Sequence, residues 1–243
     1  MSDQSPLLVV TAHPGDFVWR AGGAIALAVS RGQRAVIACL SFGERGESAA
    51  AWRAGKSLDE IKEIRREEGQ TAADALGAEV QFLDAGDYPL RESDELMERL
   101  IALYREVQPA IVLTHGDKDP YNMDHPKAGE IALAARVLAQ APGVVGVGEV
   151  IGAPPVFAFE PHQPEVCGFA PDVLLDITPV WDRKVAAMEA LVAQAHLVPY
   201  YTDLGKRRGV QAERNSGPNL GLPKDTRAEA FQRYYPQVTQ ELS

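Results

Sequence analysis

Short, nearly unbroken apolar runs alternate with longer amphipathic stretches through the first 140 residues. LLVVTAH (7–13) and AVIACLSF (35–42) have the continuous apolar character of strands buried on both faces. VQFLDAG (80–86) and PAIVLTH (109–115) continue the series as a third and a fourth strand. GGAIALAVSRG (22–32) reads as a helix ended by Gly32. Residues 58–76 read as an amphipathic helix rich in Glu and Arg that closes at Leu76-Gly77, with further helices over 93–107 and about 126–140. This rhythm predicts an α/β fold, a Rossmann-like three-layer sandwich around a mostly parallel, doubly wound sheet with right-handed crossovers.

From residue 142 the pattern changes. GAPPVFAFEPHQPE (152–165) has room for one short strand between prolines, which favour an edge or a loop. VLLDI (173–177) reads as a strand and 179–196 as an amphipathic helix, with Trp181, Met188 and Leu191 at core spacing. A last helix is expected near 226–234. The stretch 205–224 has too little apolar content for a core of its own. It is expected to be a long loop over the active site, which leaves residues 1–243 as one domain.

Composition narrows the partners. The 24 Lys and Arg against 34 Asp and Glu give a net charge of −10, which argues against a nucleic-acid backbone as ligand. Small anions remain open, because a local arginine cluster can override the global sign. Two cysteines exclude a disulfide scaffold and a four-cysteine zinc site. Within its strand Cys39 behaves as a small apolar residue. No apolar run reaches the roughly 18 residues of a membrane span. The opening MSDQSPLLVV lacks the features of a signal peptide, so a soluble, cytoplasmic protein is expected.

In open α/β sheets ligands sit at the carboxyl ends of strands, where the strand order reverses. His13 and Asp16 follow the first strand, SFGERGE (41–47) follows the second, and THGDKDPYNMDH (114–125) follows the fourth. These three polar loops should converge. His13-x-x-Asp16 with His125 would supply two imidazoles and one carboxylate, a set that suits zinc with positions left open for water or substrate. For each histidine taken alone, a hydrogen-bonded structural role is the alternative. Asp124 and Asp119 lie close enough to orient an imidazole from behind.

Four motifs then carry a resemblance: TAHPGD (11–16), SFGERGE (41–47), R-x-x-E-x-x-x-A-A-x-x-L-G (65–77) and DHP (124–126). In this order they resemble the PIG-L/LmbE family of zinc-dependent N-acetylglucosaminyl deacetylases, from residue 7 to about 196. The resemblance implies zinc held by His13, Asp16 and His125. Two positions depart from the deacetylase pattern. Gly15 stands where the first Asp of A-H-P-D-D activates water, and Asn122 stands where H-x-D-H has its first His. Amide hydrolysis needs a base for water and an acid for the amine, and both usual suppliers are replaced.

DFVWRAGGAIA (16–26), CLSFGERGES (39–48), KDPYNMDHP (118–126), GAPPVFAFEPHQPE (152–165) and GVQAERN (209–215) are similar to a branch of the same fold, the zinc-dependent 4-oxalomesaconate hydratases of bacterial gallate degradation. These likewise lack the first Asp. The similarity implies a hydro-lyase of aromatic-compound catabolism. It would add water across the C=C bond of an unsaturated oxo-tricarboxylate to give 4-carboxy-4-hydroxy-2-oxoadipate. Such chemistry needs a base for water, an acid for carbon and a cation for the enolate-like charge; Glu47 and His162 are the acid/base candidates. Arg45 and Arg214, then Arg20, are candidates for the substrate carboxylates, with Tyr121 and Asn122 as hydrogen-bonding partners. Relatives of this fold often assemble, so a homo-oligomer is expected, a hexamer being one form. The competing readings are an N-deacetylase with its base relocated to Glu47, and a non-catalytic metal-binding protein.

Overall fold

The computed structural model describes residues 5–238, without the side chains of 217–220. The MSDQ start of the N-terminal reading and both ends of the single-domain reading lie outside these residues. The elements run β1 (Leu7–Thr11), α1 (Pro14–Ser30), β2 (Ala35–Cys39), α2 (Ala49–Arg53), α3 (Leu58–Leu76), β3 (Glu79–Phe82), α4 (Asp94–Val107), β4 (Ile111–Thr114) and α5 (Asp124–Gln140). They continue with β5 (Val156–Phe159), α6 (Pro164–Cys167), β6 (Val173–Asp176), α7 (Trp181–Ala190), α8 (Val198–Leu220) and β7 (Ala228–Arg233).

One seven-stranded sheet has the order β3-β2-β1-β4-β5-β7-β6. β1 to β5 pair in parallel, while β7 runs antiparallel between β5 and β6. Every residue of β1 and β2 is buried, whereas edge strand β3 alternates in exposure, as burial on both faces and at an edge dictate. On one face α1, α3 and α7 supply Phe17, Ile25, Leu76 and Met188 to a core. On the other α4 and α5 supply Leu100, Tyr104 and Ile131. Between β1 and β4 the strand order reverses, and the loops leaving β1, β2 and β4 gather there. No helix of the described residues is long and apolar enough to cross a membrane.

The second half corrects several expectations. Residues 205–220 are helical, the greater part of the stretch expected to be a loop. Its glycines serve packing: a Cβ on Gly205 would lie 2.8 Å from the Trp181 ring, and one on Gly209 would lie 1.8 Å from the Thr226 carbonyl oxygen. In sequence these glycines read as helix breakers; in the fold they let α8 press onto its neighbours. The helix expected over 226–234 is strand β7. Its residues AEAFQR favour helix locally, but a slot between β5 and β6 overrides that preference and buries Ala228 to Phe231. The strand between the prolines, β5, is interior and not at an edge, with Pro155 just outside it accepting a hydrogen bond from the Val112 N–H at 3.0 Å. The helix expected over 179–196 is α7 followed by a 3-10 segment, Val192–Leu197, with a kink at Gln194 (φ −121°, ψ 22°).

Candidate metal centre and active site

The turn from β1 into α1 fixes the first pair of side chains. Pro14 opens the helix, where its missing N–H costs nothing. The Asp16 carboxylate at the third helical position accepts the His13 backbone N–H at 3.0 Å. This capping arrangement, favoured by the positive end of the helix dipole, leaves Asp16 Oδ2 3.1 Å from His13 Nδ1. His125 arrives from the start of α5, its Nε2 3.3 Å from Asp16 Oδ1. Donor atoms of His13, Asp16 and His125, all buried, lie within 4.8 Å of one another.

This set fits a tetrahedral ion. Bonds of about 2.0–2.2 Å place neighbouring donors about 3.3–3.6 Å apart, and Asp16 stands 3.1 Å from His13 Nδ1 through one oxygen and 3.3 Å from His125 Nε2 through the other. His125 Nε2 is buried and without a hydrogen-bond partner, as a nitrogen reserved for a metal would be. Each imidazole also turns its second nitrogen to a carboxylate: His13 Nε2 to Asp87 Oδ1 at 3.0 Å, and His125 Nδ1 to Asp119 Oδ2 at 2.8 Å. Such backing fixes the tautomer and aim of a metal-binding histidine. Asp124 lies 3.6 Å from His13 Nε2, and its carboxylate accepts the N–H groups of Tyr88 and Leu90 at 2.9 and 2.8 Å.

Charge is balanced tightly around this set. Burial opposes the charged form of His13, but Glu47, Asp124, Asp16 and Asp87 together hold its imidazole well above the ordinary range. Burial likewise opposes ionisation of Asp16, and His125, His115 and Arg20 outweigh it, so this carboxyl lies well below its usual value.

Glu47 stands beside the set, with Oε1 3.6 Å from His13 Nδ1 and Oε2 accepting from Arg65 at 2.7 Å. Burial pushes its carboxyl up, against the pull of His13 and Arg65. Arg20 is buried, 3.2 Å from Asp16 Oδ1 and 3.4 Å from His125 Nδ1. It lines a cavity of about 510 Å³ with His115, Lys118, Asp119, His125 and Arg233.

The other sequence candidates are spread more widely. The half-buried ring of His162 packs on Tyr200, with centroids 4.4 Å apart, and lines an adjacent cavity of about 490 Å³. Burial and the neighbouring Arg20 lower its basicity. Asn122 Oδ1 accepts the Asp124 N–H at 3.0 Å, closing the turn before α5. Tyr121 is 62% exposed. Arg45 is exposed, and its backbone N–H donates to Asp87 at 2.6 Å. Arg214 is exposed on α8 and is not among the residues lining the 510 Å³ cavity.

Four residues at the centre were given no role from the sequence: Asp87 and Gln194, and Arg65 and His115, which stood only within the quoted segments 65–77 and 114–125. His115, at the end of β4 as His13 is at the end of β1, stacks on His125 (centroids 4.4 Å, interplanar 13°). Its Nε2 accepts the Ala12 N–H at 3.0 Å, and burial holds it well below the ordinary imidazole range, which is to say neutral. Its place at a strand end was the signal available. Asp87 directly follows the expected third strand (80–86), so the same signal was available for it, although β3 itself ends at Phe82.

The chain is similar to known proteins along its whole length. A 4-oxalmesaconate hydratase of Pseudomonas putida is 52% identical over 241 residues, 99% of this chain and 93% of the relative. The crystal structure of GalB, the 4-carboxy-2-hydroxymuconate hydratase of P. putida KT2440, superposes with a TM-score of 0.93 at 51% identity, covering 98% of this chain and 99% of that one. A probable N-acetyl-α-D-glucosaminyl L-malate deacetylase of Bacillus cereus is 28% identical over 191 residues, 76% of this chain and 81% of the relative. The family described as PIG-L, GlcNAc-PI de-N-acetylase, matches residues 8–136, more than half of the sequence. With its parallel sheet, its His-Asp-His cluster and these relatives, the chain belongs to the PIG-L family.

Proposed function

We propose that this protein is a zinc-dependent hydratase. It adds water across the C=C bond of 4-oxalomesaconate to give 4-carboxy-4-hydroxy-2-oxoadipate in gallate or protocatechuate catabolism. The observation that carries this reading is the likeness to a hydratase over 99% of the chain, at an identity far above that of the deacetylase relative. The site agrees, because Gly15 has no carboxylate to offer, while Glu47 offers one 3.6 Å from His13 Nδ1.

His13, Asp16 and His125 would hold the zinc, which when bound acts as a Lewis acid for a substrate oxygen and its developing charge. Glu47, half-buried and with its carboxyl pushed up by burial, is suited to exchanging a proton through Oε1. His162, lowered in basicity and at the edge of the adjacent cavity, is suited to the second proton transfer. Arg20 has its guanidinium in the cavity wall, where it would orient a substrate carboxylate. The proposal includes a cytoplasmic location and a homo-oligomeric state, the latter to be tested by the mass in solution.

The test follows loss of absorbance of the conjugated substrate against amine release from N-acetylglucosamine conjugates. Hydration that is abolished by chelation and restored by zinc, with Glu47→Gln lowering kcat by about 10²-fold or more, is the expected result. Amine release without hydration would overturn the proposal.

A further inference from the structure

The charged cluster behind Glu47 has no part in the reading above, yet it is among the most enclosed polar structures in the fold. Arg65 projects from α3 and is 1% exposed. It donates to four acceptors: the Phe42 carbonyl at 3.1 Å, Glu68 Oε2 at 2.6 Å, Glu47 Oε2 at 2.7 Å and Gln194 Oε1 at 3.2 Å. Glu68 Oε1 in turn accepts the Ala193 N–H at 2.9 Å, which ties the cluster to the 3-10 segment after α7. The carboxylate torsion of a glutamate is broad and nearly two-fold, so an untethered Glu47 would sample many orientations. Here one oxygen is bound from behind and the other faces His13 at 3.6 Å.

Gln194 connects this cluster to the metal-binding turn. Its Oε1 also lies 3.5 Å from Trp19 Nε1 on α1. A Cβ built on Gly15 would fall 2.4 Å from that same Oε1 and 2.8 Å from Trp19 Nε1. The Gln194 amide therefore occupies the space a side chain at position 15 would need. Any such side chain must displace the Gln194 amide, whose oxygen is the one that accepts from Arg65.

We infer that Arg65 and Gln194 are positioning residues that hold Glu47 with Oε1 presented to the metal-facing side of the site, and that position 15 is glycine because Gln194 fills its side-chain space. The inference rests on the hydratase reading, in which Glu47 moves a proton. It makes residues 15, 65 and 194 one unit acting through Glu47.

The experiment is a set of double-mutant cycles read as kcat and KM for hydration, with zinc content and melting temperature measured on each variant. Arg65→Gln should lower kcat about 10- to 100-fold, the cost of misplacing a reacting group by about 1 Å, with KM within about three-fold and zinc per chain unchanged. Arg65→Lys should recover part of that loss. In the Glu47→Gln background, Arg65→Gln should cost nothing further in kcat, because the group it positions is gone. Gly15→Ala and Gln194→Ala should each lower kcat several-fold, and the double variant should be no worse than either, since alanine at 194 frees the space. If Arg65→Gln does not fold, the Gln194 and Gly15 cycle carries the test alone. Losses that multiply in either cycle, or a change confined to KM, overturn the positioning role and leave the hydratase reading standing. A Glu47→Gln enzyme with full kcat overturns Glu47 as proton carrier and the positioning role with it.

Discussion

Asp87 has three donors on two oxygens: His13 Nε2 at 3.0 Å on Oδ1, and the N–H groups of Arg45 and Gly46 at 2.6 and 2.9 Å on Oδ2. Asp87→Asn keeps the size and removes one acceptor. If the amide oxygen stays on the loop, its NH2 group faces His13 Nε2, and the ring is driven to the tautomer protonated on Nδ1, the nitrogen facing Asp16. If the amide flips, two backbone N–H groups lose their acceptor and the loop carrying Glu47 is released. Either arrangement leaves at least one buried group unmatched, at about 1–3 kcal/mol. That corresponds to about a 5- to 160-fold loss of affinity for the proposed zinc, a span that contains the 10- to 100-fold usual on removing the group behind a metal-binding histidine. Competition against a chelating chromophore measures it directly. Affinity within two-fold of the unaltered protein, with turnover intact, would refute the idea that Asp87 sets the state of His13.

Other outcomes follow from single contacts. Lys184, 2% exposed, donates to Glu229 Oε1 at 2.5 Å and to the Trp19 carbonyl at 3.0 Å. Lys184→Met leaves a buried carboxylate held by backbone N–H groups alone and should cost about 3–5 kcal/mol. Calorimetry should show Tm falling by about 6–20 °C, whereas a fall under about 2 °C would mean the pair is neutral in this core. Gly209→Ala places a methyl group against the Thr226 carbonyl and should destabilise by at least about 1–3 kcal/mol in denaturant melts, while Gly152→Ala, with nothing within 4 Å, should stay within about 0.5 kcal/mol. Equal effects would contradict the seating of α8 on the segment before β7. His162→Ala should lower kcat about 10²-fold with little change in zinc content; unchanged steady-state turnover would remove this imidazole from proton transfer.

How much of this was legible in the sequence depends on whether a local signal and the tertiary context agreed. They agreed in the first half, where buried strands give continuous apolar runs and α3 carries a capping box, Ser57 with Glu60, and a left-handed Gly77 at its end. They disagreed after residue 150. AEAFQR has helix-forming residues but is claimed by a vacant place between two strands, and the glycines of α8 mark close approach instead of a break. The site divides in the same way. His13 and Asp16 meet through three residues of chain at a helix start, which spacing can reveal. Asp87 reaches His13 across 74 positions and Gln194 reaches Arg65 across 129, and no motif in the sequence joined either pair.

The acid surplus of the chain raises a last physical question, how a protein of net charge −10 would receive the proposed substrate with its three carboxylates. At physiological ionic strength fields fade over about 8 Å, so the surface charge of the whole molecule matters less than the few groups around the cavity. There Arg20, Lys118 and Arg233 stand against Asp117 and Asp119, with Asp119 engaged with His125 and Arg20 with Asp16. A doubly charged zinc ion at His13, Asp16 and His125 would add to the cationic side, making the cavity locally attractive to a polyanion while the exterior stays acidic. With zinc bound as proposed, the charge pattern would suit a small carboxylate-rich ligand better than a neutral sugar amide.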